Sequence, residues 1–537
     1  MKGLFNVLYL DSFSMFPEYF ISVSSIYLLI VIVLVTYNVY NLMLQKAISE
    51  CLALIMFMSC YLLLNDDLIA FNFLSFHYSI INDSLAFFSK FIICFSSAIF
   101  FLIISNFLKQ QRLTSFEYLL MLLFAILGLV LLCSSNDLLT AYLAIELSSL
   151  ASYVLASFKK TSSYSVESGL KYFVTGALSS AFFLLGSSFI YGFTGSINFI
   201  DLKAMSDTRV MQMPYSYILY DPYGDEILKF IAMLALYYTY GINFDYLCSF
   251  ENSLVDLGIS LIMLSLFIKL GLAPFHLWSL DVYEGSPTSA TFFFAVISKL
   301  SVFVLLIRLC YMTFVSFIDG FSLYCMLIAV LSIFVGSFGG LKTRKLKTLL
   351  AYSSTSHMGY SLLAFSSFDK TISTEMVFFY LLIYIIAGLC TWFIILSLKL
   401  RSKYLANKYS LELGDIVLLY KSNIGLAVAF TLTIFSISGI PPMLGFLSKM
   451  GVFLSAISSE LYLLALITIL CSVISTFYYI RIVKVLYFEN LLVGKLYYPI
   501  VNHKIIILSL LTFLLLFLFI NPNILYLNII KMIEYYS

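Results

Sequence analysis

The sequence predicts an all-α polytopic membrane protein of about fourteen transmembrane helices, with two inverted five-helix repeats and discontinuous helices 7 and 12. Three observations predict it. First, 62% of the 537 residues are hydrophobic and 11% are charged, with a mean hydropathy of +1.02. A soluble domain carries roughly 25% charged residues, so this chain lacks the polar surface to face water. Second, the apolar residues gather into segments near the ~20 residues a spanning helix needs. Third, basic and acidic residues alternate between successive connections.

The same composition excludes other classes. A net charge of +2 excludes a nucleic-acid binder built on a basic surface. The nine cysteines (51, 60, 94, 133, 248, 310, 325, 390, 471) show no C-x-x-C spacing. They read as small buried apolar residues, with no disulfide framework, zinc site or iron–sulfur cluster expected. The 52 Phe and 40 Tyr, and a basic set dominated by Lys, match AT-rich coding. That points to an organelle genome and the mitochondrial inner membrane, with a bacterial plasma membrane as the alternative. No cleavable leader is expected, because the first eighteen residues include Asp11 and Glu18.

The first three spans are read at 19–41, 48–64 and 83–106. Five more follow at 117–135, 138–158, 168–193, 254–278 and 287–312. A second five are read at 320–338, 346–366, 373–398, 422–451 and 455–486, and the last at 504–530. Lipid offers no partner to an open backbone, so each is helical; a barrel would show ten-residue alternation, which these lack. Connections after odd-numbered spans carry Lys46; Lys109 and Arg112; Lys159 and Lys160; Lys342, Arg344, Lys345 and Lys347. Lys399, Arg401, Lys403, Lys408 and Lys421 continue the series, then Arg481, Lys484, Lys495 and Lys504. Connections after even-numbered spans carry Asp66 and Asp67, Asp137, Asp319, Asp369 and Glu375, and Glu460. The odd connections are therefore inside and both termini outside. Asp281 and Glu284, after the seventh span, break this rule. Residues 197–252 form the one long connection; its apolar stretch 231–240 is too short to span and suits the membrane interface.

Two spans are interrupted. The seventh reads Lys269-Leu-Gly-Leu-Ala-Pro274-Phe-His276-Leu-Trp278, and the twelfth Ser438-Gly-Ile-Pro441-Pro442-Met-Leu-Gly445-Phe-Leu-Ser-Lys449. Pro inside a helix frees carbonyls, and paired breaks in two halves mark an ion site in transporters. The breaks lie five helices apart. That divides the chain into N-terminal helices 1–3 (1–110), a first repeat of helices 4–8 (111–312), a second of helices 9–13 (313–490) and a C-terminal helix (491–537). An odd number of helices per unit inverts the second against the first.

An ionisable group at mid-membrane costs at least ~2.5–3.5 kcal/mol, so each is a functional candidate. They are Glu146, Lys171, Lys269, Lys299, His357 and Lys449, with Lys90 and Lys171 close enough to helix ends to snorkel. Lys299 lies near the middle of its span, where snorkelling fails. Burial disfavours charge and a nearby opposite charge restores it. A buried Lys beside Glu146 is thus a proton carrier whose loading follows its partner, and Lys299, His357 and Lys449 extend a relay sideways. No nucleotide, flavin or haem motif is present.

Four stretches resemble the antiporter-like membrane subunits of respiratory complex I. They are Asp137-Leu-Leu-Thr-Ala-Tyr-Leu-Ala-Ile-Glu146; Lys171-Tyr-Phe-Val-Thr-Gly-Ala-Leu-Ser-Ser180; Lys269 to Trp278 with Asp281-Val-Tyr-Glu-Gly-Ser-Pro-Thr288; and Lys345-Leu-Lys-Thr-Leu-Leu-Ala-Tyr-Ser-Ser354 with His357. The 439–449 segment extends the match. Lys at 449 resembles the N and L types, and an end soon after the fourteenth span favours the N type. The resemblance implies that Glu146 and Lys269 form the input pair, Lys299 the central link, and Lys449 the output gate, with His357 between. Lys171 matches a lysine the family carries in its first repeat. It also implies a proton-pumping subunit with no cofactor of its own, NADH, FMN, iron–sulfur clusters and ubiquinone acting in other subunits. Implied partners are a second antiporter-like subunit, small helical subunits and lipids such as cardiolipin, with no nucleic acid or soluble substrate. The alternatives are a subunit of a multi-subunit Na+/H+ or K+/H+ antiporter, and a purely structural subunit.

Overall fold

The structure is a computed structural model; it describes residues 15–36, 41–65, 73–110, 113, 115–207, 244–315, 318–367, 370–398, 412–489 and 502–534. The apolar stretch 231–240 and the basic residues 399–408 fall outside this set. Three helices come first: α1 (Phe16–Thr36), α2 (Asn41–Leu64) and α3 (Ser84–Gln110), with a hairpin of β1 (Phe73–Ser75) and β2 (Ile80–Asn82) before α3. Next are α4 (Glu117–Ser134), α5 (Leu138–Ser157), α6 (Ser163–Thr194), the short α7 (Phe199–Asp207) and α8 (Phe244–Leu270). Then come α9 (Leu277–Gly285), α10 (Thr288–Val296), α11 (Ser298–Arg308) with a π turn (Leu309–Thr313), α12 (Ile318–Leu341), α13 (Leu346–Phe365) and α14 (Lys370–Ser397). The chain finishes with α15 (Leu419–Ser422), α16 (Ile424–Ser438), α17 (Leu444–Ser458), α18 (Tyr462–Tyr487), α19 (Asn502–Ile520) and α20 (Asn523–Glu534).

Each predicted span coincides with a helix or a pair of helices. Among the described residues ten spans are long and apolar enough to cross a membrane, and the bent pair α19–α20 brings the number to eleven. The seventh, tenth and twelfth predicted spans are not in that set. They are the polar or interrupted ones: α8 with Asp256 and Lys269, α13 with its Ser/Thr run and His357, and the divided α16–α17. Two irregularities escape the apolar pattern. The eighth span carries a one-residue irregularity at Ile297 between α10 and α11 yet continues as a single span over 288–313, and α19 turns into α20 by 81° at Pro522, which cannot continue the hydrogen-bond ladder.

Packing follows small residues, because apolar side chains gain little from leaving lipid and helices associate by close contact. At Gly128 of α4 an added Cβ would lie 2.7 Å from the Ser148 nitrogen and 2.9 Å from the Ala144 carbonyl of α5. At Gly336 of α12 it would lie 2.7 Å from both the Ser356 nitrogen and the Tyr352 carbonyl of α13. The two helix pairs therefore meet in the same register. The two breaks also share a geometry. Gly271 (φ +71°) and Gly439 (φ +80°) hold the left-handed conformation that terminates α8 and α16. In each, the glycine N–H donates three residues back (Ile268 O, 3.1 Å; Ser436 O, 3.2 Å) and the next N–H five back (Phe267 O, 3.2 Å; Phe435 O, 3.1 Å). This is the double-bonded helix end that leaves a short re-entry before the next helix.

Candidate functional site

The breaks position the lysines. Lys269 sits in the last turn of α8, where the carbonyl ends favour a cation. Its Nζ donates to the Tyr153 hydroxyl of α5 at 3.3 Å and lies 5.7 Å from that ring's centre. Glu146 is half-buried one helix away, with Ser149 Oγ 3.4 Å from its Oε2. No ion pair joins Glu146 to Lys269 among the described residues; the Glu146 carboxylate acts on Lys269 through space. A cavity of about 50 Å³ beside Lys269 is bounded by Ser149, Ser152, Tyr172, Phe294 and Ser298, room for a few waters.

Ser298 leads directly to Lys299, which is 6% exposed in the first turn of α11. Its Nζ lies 5.7 Å from the centre of the Tyr384 ring, and Tyr384 donates to the Ala295 carbonyl at 2.9 Å, just before the irregularity at Ile297. The Tyr384 ring in turn meets His357 at 5.4 Å. His357 is buried with Nδ1 2.6 Å from the Tyr380 hydroxyl and Nε2 3.3 Å from the Tyr479 hydroxyl. His357 and Lys449 border one small cavity together with Tyr380, Tyr384, Ser436 and Ser448. Lys449 is buried, donates to the Ser438 carbonyl at 2.7 Å, and lies 5.3 Å from the centre of the Tyr360 ring. That carbonyl belongs to the last turn of α16, which the break at Gly439 leaves open.

The structure therefore brings Lys269, Lys299, His357 and Lys449 into one internal row, with Glu146 at its end. Among the described residues, none of the three lysines forms an ion pair with a carboxylate. Buried ammonium groups held only by carbonyls, hydroxyls and ring faces exchange protons with less penalty than ones locked to a carboxylate. Tyrosines stand against each member of the row. Tyr153, Tyr360, Tyr380 and Tyr384 were not singled out by the sequence, although Tyr380 and Tyr384 stand one helical turn apart, on one face.

Lys171 is elsewhere. Its Nζ pairs with Asp281 Oδ2 at 2.7 Å and Glu167 Oε1 at 2.9 Å, on the wall of a cavity at the end of the bundle that carries the basic connections. Glu284 pairs with Lys345 and holds that ammonium above its ordinary range. These two contacts explain why an inside connection carries Asp281 and Glu284: lysines from α6 and the α12–α13 connection neutralise them. Lys90 also differs from a snorkelling side chain. It is 2% exposed, paired with Glu18 of α1, and donates to Asn82 at 3.0 Å. A second buried pair, Arg308 with Asp83 at 2.7 Å, was not foreseen; Arg308 stands near the end of its span, where the charge reads as an ordinary flank.

Comparison with known proteins now gives the class. The family described as "NADH:quinone oxidoreductase/Mrp antiporter, TM" matches residues 135–220 and 209–475, and the chain belongs to it. It is 34% identical over 454 residues to NADH-ubiquinone oxidoreductase chain 2 of Marchantia polymorpha, covering 84% of this chain and 83% of that one. It is also 34% identical to NADH-quinone oxidoreductase subunit N of Pelagibacter ubique, covering 88% of this chain and 89% of the relative. In the structure of respiratory complex I from Thermus thermophilus with bound aureothin, one chain shares the fold with a TM-score of 0.71. That chain is 24% identical, with 95% of this chain and 98% of that one covered.

Proposed function

We propose that the chain is a proton-translocating core subunit of the membrane arm of a respiratory NADH:quinone oxidoreductase. It carries no redox chemistry of its own; NADH oxidation and quinone reduction belong to other subunits, with their FMN and iron–sulfur clusters. The observation that carries the proposal is the internal row of Lys269, Lys299, His357 and Lys449, together with membership of the family. In this reading Glu146 sets the charge of Lys269, and a shift of that carboxylate's surroundings releases the Lys269 proton into the Ser149–Ser298 cavity. Lys299 receives it and passes it by Tyr384 and His357 to Lys449, which delivers it through the opening at Gly439. The groups titrate as a coupled set. Lys171, in its acid pairs, orders the inside end.

Two units carry this, 111–312 and 313–490, each with one span ended by a left-handed glycine, and the common register of Gly128 and Gly336 supports the division. Helices of 1–110 and 491–537 flank them. The partners are other membrane-arm subunits, one of them a second antiporter-like chain, and lipids such as cardiolipin; the home is the mitochondrial inner membrane. The same row would serve cation/proton exchange in an antiporter assembly, which the family also includes by name.

Lys269→Ala in the assembled complex tests the reading. Proton transport driven by NADH oxidation falls several-fold, with the amount of complex unchanged. Unaltered transport makes the chain a structural subunit, and Na+/H+ or K+/H+ exchange without a redox partner makes it an antiporter subunit.

A further inference from the structure

A second lysine cavity lies apart from the row. It encloses about 480 Å³ between α6, α9 and the start of α13, with Lys171, Glu167, Asp281, Glu284, Lys345 and Glu412 around its mouth. All of these belong to inside connections or to the helix turns next to them, so the mouth faces the inside compartment. Lys347 also borders it, and differs from every other charge there. It is 7% exposed, donates to the Ser286 carbonyl at 2.7 Å, and forms no ion pair among the described residues. It is thus held in the same manner as Lys449. The sequence placed it in a basic flank; the structure turns it inward beneath three lysine–carboxylate pairs.

The surroundings lead on from it. Ser286 Oγ is buried with no hydrogen-bond partner, a group that an inward water would satisfy. Tyr283, one turn earlier on α9 and 2% exposed, reaches Ser354 of α13 and stands in the electrostatic range of Tyr384. Tyr384 is the ring beneath Lys299. Where α9 packs against α13, polar groups therefore continue from the inside-facing cavity toward the Tyr384 side of the row, apart from the Glu146–Lys269 end.

We propose that Lys347 is a proton-carrying residue at the floor of an intake cavity that feeds Lys299 from the inside compartment. The neutral Lys347 amine takes a proton from cavity water and gives it up along Ser286, Tyr283 and Ser354, returning to the neutral amine, so charge and protons balance in each cycle. The pairs at the mouth (Lys171–Asp281, Lys345–Glu284) keep the entrance polar and close to neutral, which admits water without trapping an ion.

The inference rests on the pumping reading, and its test separates the two. Lys347→Gln and Lys347→Arg are made in the assembled complex, beside Lys269→Ala. Both Lys347 variants keep a donor for the Ser286 carbonyl, but an amide carries no proton and a guanidinium does not release one. Proton transport driven by NADH oxidation is expected to fall several-fold in both. Full transport with Arg would reduce Lys347 to a structural donor and overturn the inference. If Lys269→Ala lowers transport and neither Lys347 variant does, the inference fails alone; if Lys269→Ala also has no effect, the pumping reading has failed. Should the variants not assemble, a membrane-impermeant amine reagent on the native complex in sealed vesicles decides. Labelling of Lys347 from the inside face supports the intake cavity, and none from that face overturns it.

Discussion

At the residue scale, the proposed relay requires groups that touch protons without holding them tightly. Tyr384 is the sharpest case, since it links Lys299 to His357 and bonds the Ala295 carbonyl at 2.9 Å. Tyr384→Phe keeps the ring and removes the hydroxyl. Stability should fall by only about 1 kcal/mol, the usual worth of one such bond, while the rate of NADH-driven proton transport drops several-fold; a denaturation curve and a vesicle pumping assay on one preparation separate the two effects. The lysines were legible from sequence because a charge in an apolar run has few benign explanations. The tyrosines were not, because 40 of them are spread through a chain where an aromatic residue is ordinary. The inward turn of Lys347 was not legible for a related reason: a lysine two residues into a helix looks like a flank until the fold shows which way it turns.

At the element scale, buried ion pairs fasten the first helices to one another and to the rest. Arg308 of α11 holds Asp83 before α3, and Lys90 of α3 holds Glu18 of α1. Removing one partner leaves a buried charge uncompensated, at about 3–5 kcal/mol. Arg308→Met should therefore lower the thermal stability of the complex, and Arg308→Met with Asp83→Leu should recover most of it; a double-mutant cycle of unfolding temperatures reads the coupling. The start of α5 carries a pH effect. Burial, then the Asp201 charge, raises the Asp137 carboxyl to about 6, above its ordinary ~3.9. A carboxyl raised in the folded state contributes stability below about pH 4 that is lost as pH rises through about 6. Asp137→Asn should flatten the stability profile between those values, measured by thermal unfolding across pH. Element order was readable from apolar length and charge alternation. The irregularity at Ile297 was not, since no Gly or Pro marks it, and the bend at Pro522 was written in the sequence but absorbed into one long span.

At the scale of the whole molecule, the row crosses from the first broken span to the second, so that in the proposed relay two half-sites become one path. The matching registers at Gly128 and Gly336, and the matching helix ends at Gly271 and Gly439, fit this: the same local solution is used twice, each end standing beside a row lysine. Lys299 stands where the two halves meet, and its loss should uncouple them. The most direct measurement is the rate of proton transport driven by NADH oxidation in reconstituted vesicles carrying Lys299→Arg. A permanent charge at the junction should stop most of the transport while NADH oxidation by an artificial acceptor that bypasses quinone continues unchanged. Transport at the native rate with a guanidinium at position 299 would contradict the account.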